Sequence, residues 1–180
     1  MEPEPKDVII LSAISRGAKK FNKIEKMTKI HGKELNDLLE RLQKIGLIMV
    51  SEKKGFFGPK IEIVLTDKGK KELEERRFEL EKNWNQMVTI WKNGDKQKLQ
   101  QYMDEKKDLV PSMMFLGIMD MIMFSTMLSF MGMALSSYIP DSYMATDTAA
   151  QTDASDGTAD MDHGGGDFGH DSGFDIDVNF

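Results

Sequence analysis

The sequence predicts an α+β protein that is mostly α, and three observations carry this prediction. Apolar residues recur at helical spacing over most of residues 1–107, and two short apolar runs at residues 47–51 and 61–65 have the pattern of paired strands. A long apolar stretch then precedes a tail rich in Asp and Gly. We divide the chain on this basis at residues 1–66, 67–107, 108–139 and 140–180.

Charge is distributed unevenly along the chain. All 24 Lys and Arg lie at or before Lys107 together with 18 acidic residues, which leaves residues 1–107 with a charge of about +6. The tail from Pro140 to Phe180 contains ten Asp and no Glu, Lys or Arg, and little apolar surface, so we predict that it is disordered.

Cysteine is absent, which excludes a disulfide framework, a thiolate metal site and a thiol nucleophile. Four residues in the tail have side chains that bind metals, but the tail offers no fixed backbone to hold them together. They are His163, Asp167, His170 and Asp171. We predict no metal site, no cofactor and no catalytic activity, because no phosphate loop or catalytic set is present either.

Three helices are predicted in the first 45 residues. The first runs from Val8 to Arg16, and the second from about Asn22 to Lys29, with its lysines outward. The third runs from Lys33 to Ile45 and has a single buried stripe. The stripe consists of Leu35, Leu38, Leu39, Leu42 and Ile45.

A β-hairpin with a loose tip is predicted next. Its strands are Leu47 to Ser51 and Ile61 to Leu65, and the residues between them include glycine and proline. Thr66 is then a suitable N-cap for a long helix that begins at Asp67 and continues through Trp91.

Three helices, a hairpin and a further helix form the winged-helix arrangement. The segments Phe21-Asn22-Lys23-Ile24, Leu35 through Ile48 and Val64-Leu65-Thr66-Asp67-Lys68-Gly69 resemble the winged helix-turn-helix regulators of the HxlR, PadR and MarR type, over roughly residues 7–80. The resemblance implies that the third helix enters the major groove of DNA, while the hairpin, or wing, contacts the backbone or minor groove.

The predicted DNA contacts are mostly lysines around a nearly neutral third helix. Glu34, Asp37 and Glu40 dilute its positive charge, so we expect phosphate contacts from the second helix and the wing. The predicted phosphate contacts are Lys19, Lys20, Lys23, Lys26, Lys53, Lys54 and Lys60. The predicted base contacts are Asn36 on adenine, and Arg41 or Lys33 on guanine.

The helix after the wing carries an apolar stripe that predicts a homodimer. Its members are Leu73, Leu80, Trp84, Met87 and Trp91. An alternative remains open, in which these side chains cover the domain's own core. A shorter helix, about Asp95 to Lys107, follows and completes the predicted dimerisation extension.

The segment from Leu109 to Ile139 carries one charge, Asp120. A helix from Ser112 to Tyr138 would be roughly 40 Å long, which exceeds the roughly 30 Å of bilayer hydrocarbon. Because lysines flank only its N-terminal side, we predict a single transmembrane helix with the N-terminal domain in the cytoplasm. Asp120 would then be an intramembrane polar residue facing a partner helix or a cavity.

The eight methionines and the serines of this segment also favour another interpretation. They are typical of a soluble helix packed in a dimer or against a partner, in a protein that stays in the cytoplasm. The sequence therefore leaves two functions. One is a dimeric, membrane-tethered transcription regulator, and the other is a winged-helix protein-interaction module that binds no DNA.

Overall fold

The computed structural model describes residues 4–55 and 58–144, and it confirms the predicted fold class of mostly helical α+β. Two 3₁₀ turns, Lys107–Leu109 and Leu135–Ser137, join the later helices. The other elements in chain order are α1 Pro5–Ser15, α2 Phe21–Thr28, α3 Gly32–Lys44, β1 Ile48–Gly55, β2 Gly58–Leu65, α4 Asp67–Lys92, α5 Lys96–Glu105, α6 Val110–Phe115, α7 Met121–Met131 and α8 Asp141–Met144.

The first core lies beneath α1, α2 and α3. The predicted stripe of α3 is correct for its four leucines, all of which are buried against apolar residues of α1 such as Ile10 and Ile14. Lys29 takes a left-handed conformation with φ of 58°, which ends α2 and lets the chain turn into α3. The two helices therefore form the predicted helix-turn-helix.

The wing is an antiparallel hairpin in which Ile48 pairs with Leu65 and Val50 with Ile63. Both strands are longer than the sequence indicated. The N–H of Ile63 donates a hydrogen bond to the carbonyl of Lys19 at 2.8 Å, so β2 is attached to the segment that precedes α2. The position of the wing is thus coupled to the helix-turn-helix.

Thr66 fixes the corner between the wing and α4. Its hydroxyl accepts a hydrogen bond from the N–H of Gly69 at 3.0 Å and donates to the carbonyl of Gly46 at 2.7 Å. The N–H of Thr66 donates to the carbonyl of Leu47 at 3.0 Å. The predicted N-cap is therefore confirmed, and it also connects α4 to the end of α3.

The second core is formed by one face of α4 and the helices that follow it. Met87, Leu99, Met113 and Phe124 are each fully buried there, and Val8 of α1 joins them. Residues 4–144 lie in one compact unit. Because α1 contributes to both cores, it is apolar on almost every side.

The Met-rich stretch is not one helix, so the prediction of a continuous helix over residues 112–138 is wrong. Gly117 takes a φ of +69° soon after α6 ends. The carboxylate of Asp120 then accepts a hydrogen bond from the N–H of Met123 at 2.9 Å and caps α7, which ends at Gly132 with a φ of +73°. Gly117 and Gly132 therefore end α6 and α7, and Asp120 begins α7, all by ordinary capping.

Within the described ranges, no helix combines the length and the apolar character that crossing a membrane requires. The prediction of a single transmembrane helix is therefore wrong for the chain as described. Asp120 is exposed at the start of α7, where its carboxylate caps the helix.

The apolar stripe of α4 lies in the core of its own chain. Leu80, Trp84 and Met87 are buried, and Leu73 and Trp91 pack against the same cluster. This arrangement matches the alternative that the sequence left open. A dimer contact through these side chains would require the C-terminal helices to move away.

The predicted acidic tail falls almost entirely on residues that the structure does not describe. Its first residues, Asp141–Met144, form α8. The predicted disorder beyond them, and the four His and Asp side chains considered as metal ligands, lie outside the described residues.

Candidate nucleic-acid interface

The exposed face of α3 is almost neutral in charge. Two lysines, two carboxylates and two amides share it. They are Lys33, Asn36, Asp37, Glu40, Gln43 and Lys44. The amide nitrogen of Asn36 donates a hydrogen bond to Oε1 of Glu40 at 2.8 Å, which orients the predicted adenine contact along the helix surface.

Arg41 is bound to the start of α1. Its guanidinium donates to Oδ1 of Asp7 at 2.6 Å and to Oε1 of Glu4 at 2.8 Å, and its side chain is 27% exposed. The hydrogen bonds to Glu4 and then to Asp7 raise the pKa of Arg41 above its usual range, against the opposing effect of burial. This geometry does not present Arg41 to a base.

Lysines at the N-cap and on the surface of α2 form an exposed row. Lys20, Lys23 and Lys26 are all exposed, and none of them forms an ion pair with another described residue. Lys19 differs, because its ammonium group lies 3.6 Å from a carboxylate oxygen of Glu62 on β2. The structure therefore brings three predicted cations together and assigns Lys19 partly to holding the wing.

The wing places its lysines on neighbouring strands. The register pairs Lys53 with Lys60, and Lys54 follows on β1. Lys60 is exposed. The side chains of Lys53 and Lys54 lie outside the described part of the structure, so their predicted phosphate contacts stay predictions.

Three exposed residues beside these positions were not among the predicted contacts. Lys29 extends the row on α2, and Gln43 and Lys44 extend the exposed face of α3 towards its C-terminal end. Gln43 lies seven residues, or about two turns, after Asn36, so helical spacing could have identified it.

The chemistry available at this surface is that of recognition. Exposed cations lie at α2 and on the wing, and α3 exposes amides and lysines that can form hydrogen bonds with bases. In residues 4–55 and 58–144, no three His, Asp or Glu side chains are grouped so that they could hold a metal ion.

The described elements are a helix-turn-helix followed by a two-stranded wing, with exposed lysines at α2 and on the wing. This combination defines a winged helix-turn-helix domain. The model of the HxlR-like helix-turn-helix family matches residues 6–90, and this segment is an HxlR-like helix-turn-helix domain. Comparisons with curated proteins and with solved structures give no match. The family supports a DNA-binding transcription regulator.

Proposed function

We propose that this protein regulates transcription by binding duplex DNA, with α3 in the major groove and the wing on the adjacent backbone. The observation that carries the proposal is the exposed row Lys20, Lys23 and Lys26 beside the exposed face of α3. Such a row can neutralise phosphates while α3 meets the base edges.

Phosphate contacts should supply most of the affinity. Lysines form point-charge contacts that tolerate small displacements, whereas the carboxylates of Asp37 and Glu40 oppose any close approach of phosphate to α3. We therefore assign the phosphate contacts to the α2 lysines, to Lys60 and to the predicted positions Lys53 and Lys54. Binding should then fall steeply as salt concentration rises.

Base reading falls to the amides and lysines of α3. Asn36 and Gln43 can each pair bidentately with adenine, and Lys33 and Lys44 can donate to guanine. Asn36 would have to exchange its hydrogen bond with Glu40 for one to the base. Arg41 is not assigned to a base, because Asp7 and Glu4 bind its guanidinium.

We further infer that two copies associate through the outward face of α7. Ile122 and Phe130 are 80% and 41% exposed and lie two turns apart. The hydroxyls between them donate to carbonyls of the same helix, Thr126 to Ile122 at 2.9 Å and Ser129 to Ser125 at 3.0 Å. With the hydroxyls of Thr126 and Ser129 bonded within the helix and no charged residue in α7, this face suits an uncharged partner, a second copy.

Titration of the full-length protein with labelled duplexes, followed by fluorescence anisotropy at several salt concentrations, tests DNA binding. Replacing Lys20, Lys23 and Lys26 together by Gln should weaken binding and reduce the slope of log affinity against log salt by about 2.7, if each lysine neutralises one phosphate. Base discrimination should survive this change, because the exposed face of α3 is untouched.

The matched control replaces Lys82, Lys92 and Lys98 by Gln. These exposed lysines lie on α4 and α5, and their loss changes the net charge by the same amount. Both the affinity and the slope should stay near their original values in the control. Absence of binding to any duplex at low salt would exclude the proposal and favour a winged-helix module that binds protein.

A further inference from the structure

The first turn of α1 carries an ion pair that reaches into the recognition helix. Asp7 is 1% exposed and uses both carboxylate oxygens. Oδ2 accepts the N–H of Glu4 at 2.9 Å, which closes a capping box at the start of α1, and Oδ1 accepts Arg41 of α3 at 2.6 Å. One buried carboxylate therefore fixes the start of α1 and one side of α3.

α1 holds α3 at a second point. Lys6 forms an ion pair with Glu34, which lies seven residues before Arg41. Seven residues are about two turns, or roughly 10.5 Å along the helix, so the two contacts lie on the same side of α3. Two contacts at that separation resist a change in the tilt of α3 more than one contact would.

The same turn of α1 is attached to the C-terminal helices. The hydroxyl of Ser112 on α6, itself fully buried, donates to the carbonyl of Pro5 at 2.9 Å. Val8, one residue after Asp7, is buried in the second core. The start of α1 is therefore in contact with α3 on one side and with α6 on the other.

We propose that Asp7 and Arg41 are positioning residues that set the tilt of α3 on DNA, and that Ser112 makes this tilt depend on the Met-rich C-terminal helices. The inference rests on the proposed DNA binding and adds a route by which residues 110–139 control it. Any change in the packing of α6 would reach α3 through the first turn of α1.

The expected signature is a loss of discrimination between DNA sequences without a loss of phosphate contacts. Hydrogen bonds to bases require good distance and angle, so they are sensitive to the tilt of α3. Lysine contacts to phosphate depend mainly on charge and tolerate a small tilt. A loss of overall stability alone would not lower base discrimination while leaving the phosphate contacts unchanged, as long as the protein stays folded.

The test uses the full-length protein with a duplex selected from a random pool and with random duplexes. The double variant Asp7→Asn with Arg41→Gln removes the ion pair without leaving a buried charge unpaired. Discrimination, the ratio of the two Kd values, should fall about tenfold, the order of one lost base contact, while the salt slope stays unchanged. Ser112→Ala should lower the same ratio by a smaller factor.

Two control variants match these changes elsewhere in the chain. Arg77→Gln removes the exposed ion pair to Glu81 on α4, and Thr89→Ala removes an exposed hydroxyl that donates within α4. Neither should alter discrimination. An unchanged ratio in the double variant, or an equal fall in the controls, would overturn the inference.

Hydrogen exchange over residues 32–44 separates this inference from the proposed function. If the wild-type protein binds no DNA, the proposed function fails, but the coupling can still be measured. Ser112→Ala should then accelerate amide exchange in α3 relative to Thr89→Ala. Equal exchange in the two variants would show that α6 does not control α3.

Discussion

The Cα of Gly69 lies against the carbonyl of Leu47, so that a Cβ at position 69 would be only 1.9 Å from that oxygen and 2.9 Å from its carbon. Both partners are backbone atoms at the meeting point of α4 and β1. Because no side-chain rotation can relieve such a contact, α4 and the wing reach their observed separation only with glycine at this position.

Gly69→Ala should therefore lower the free energy of unfolding by about 3 kcal/mol, because the start of α4 must move away from the wing. Gly94→Ala is the control. Gly94 has a positive φ of 72° with open space around it, so its replacement should cost only about 1 to 2 kcal/mol from the left-handed backbone. Urea denaturation measures both variants, and equal losses would contradict the steric explanation.

Asp120 should behave as a helix cap. Asp120→Ala removes the acceptor of the Met123 N–H and should cost about 1 kcal/mol, whereas Asp120→Asn keeps an acceptor and should cost only a few tenths. Thermal denaturation followed by circular dichroism compares them. Equal stability of the alanine variant and the wild type would show that the cap contributes nothing.

Local patterns predicted the N-terminal half well. The leucine stripe of α3 and the N-cap at Thr66 depend on residues within one or two turns of each other, and such signals are visible in sequence. The Met-rich stretch contains local signals of the same kind. The length and low charge of the stretch predict one helix, but Gly117, Asp120 and Gly132 divide it.

Other features depend on contacts between distant residues. Arg41 pairs with Asp7 and Glu4, which precede it by 34 and 37 residues, and no periodic pattern links them. The apolar stripe of α4 equally suits a second copy or the chain's own helices, because burial favours either partner by the same physics. Only the tertiary structure distinguishes these cases.

Tyr138 should make the second core sensitive to alkaline pH. Its hydroxyl donates to Oδ1 of Asp104 at 2.8 Å, and burial, followed by this hydrogen bond, raises the pKa of Tyr138. The neutral phenol therefore stabilises the fold fully below the unfolded pKa of about 10, and this contribution is lost as pH rises through the higher folded value. Stability should fall above about pH 10.

The variant Tyr138→Phe should lose stability less steeply above about pH 10 and be about 1 kcal/mol less stable at pH 7, where the hydrogen bond is missing. Asp104→Asn keeps an acceptor but removes the charge. Its profile of stability against pH should therefore lie between those of the wild type and Tyr138→Phe. Urea titrations from pH 7 to about 11 provide the comparison. Parallel stability profiles for the wild type and both variants would refute the assignment of this pH dependence to Tyr138.

Met87 tests whether the α4 stripe belongs to the core of one chain. Met87→Ala deletes a fully buried side chain and should cost about 2 to 5 kcal/mol. The loss should be the same at every protein concentration, because the contact lies within one chain. A loss that grows on dilution would instead indicate that Met87 stabilises a contact between two copies.

The outward face of α7 should determine self-association. Ile122→Lys with Phe130→Ser places a charge and a hydroxyl on exposed positions, so it should leave folding intact while weakening the contact between copies. Phe78→Lys is the matched control, since Phe78 is 70% exposed on α4. Sedimentation equilibrium should show dissociation for the α7 variant and little change for Phe78→Lys. Dissociation by Phe78→Lys alone would indicate that the interface lies on α4. A wild-type protein that is monomeric at all concentrations would exclude the dimer.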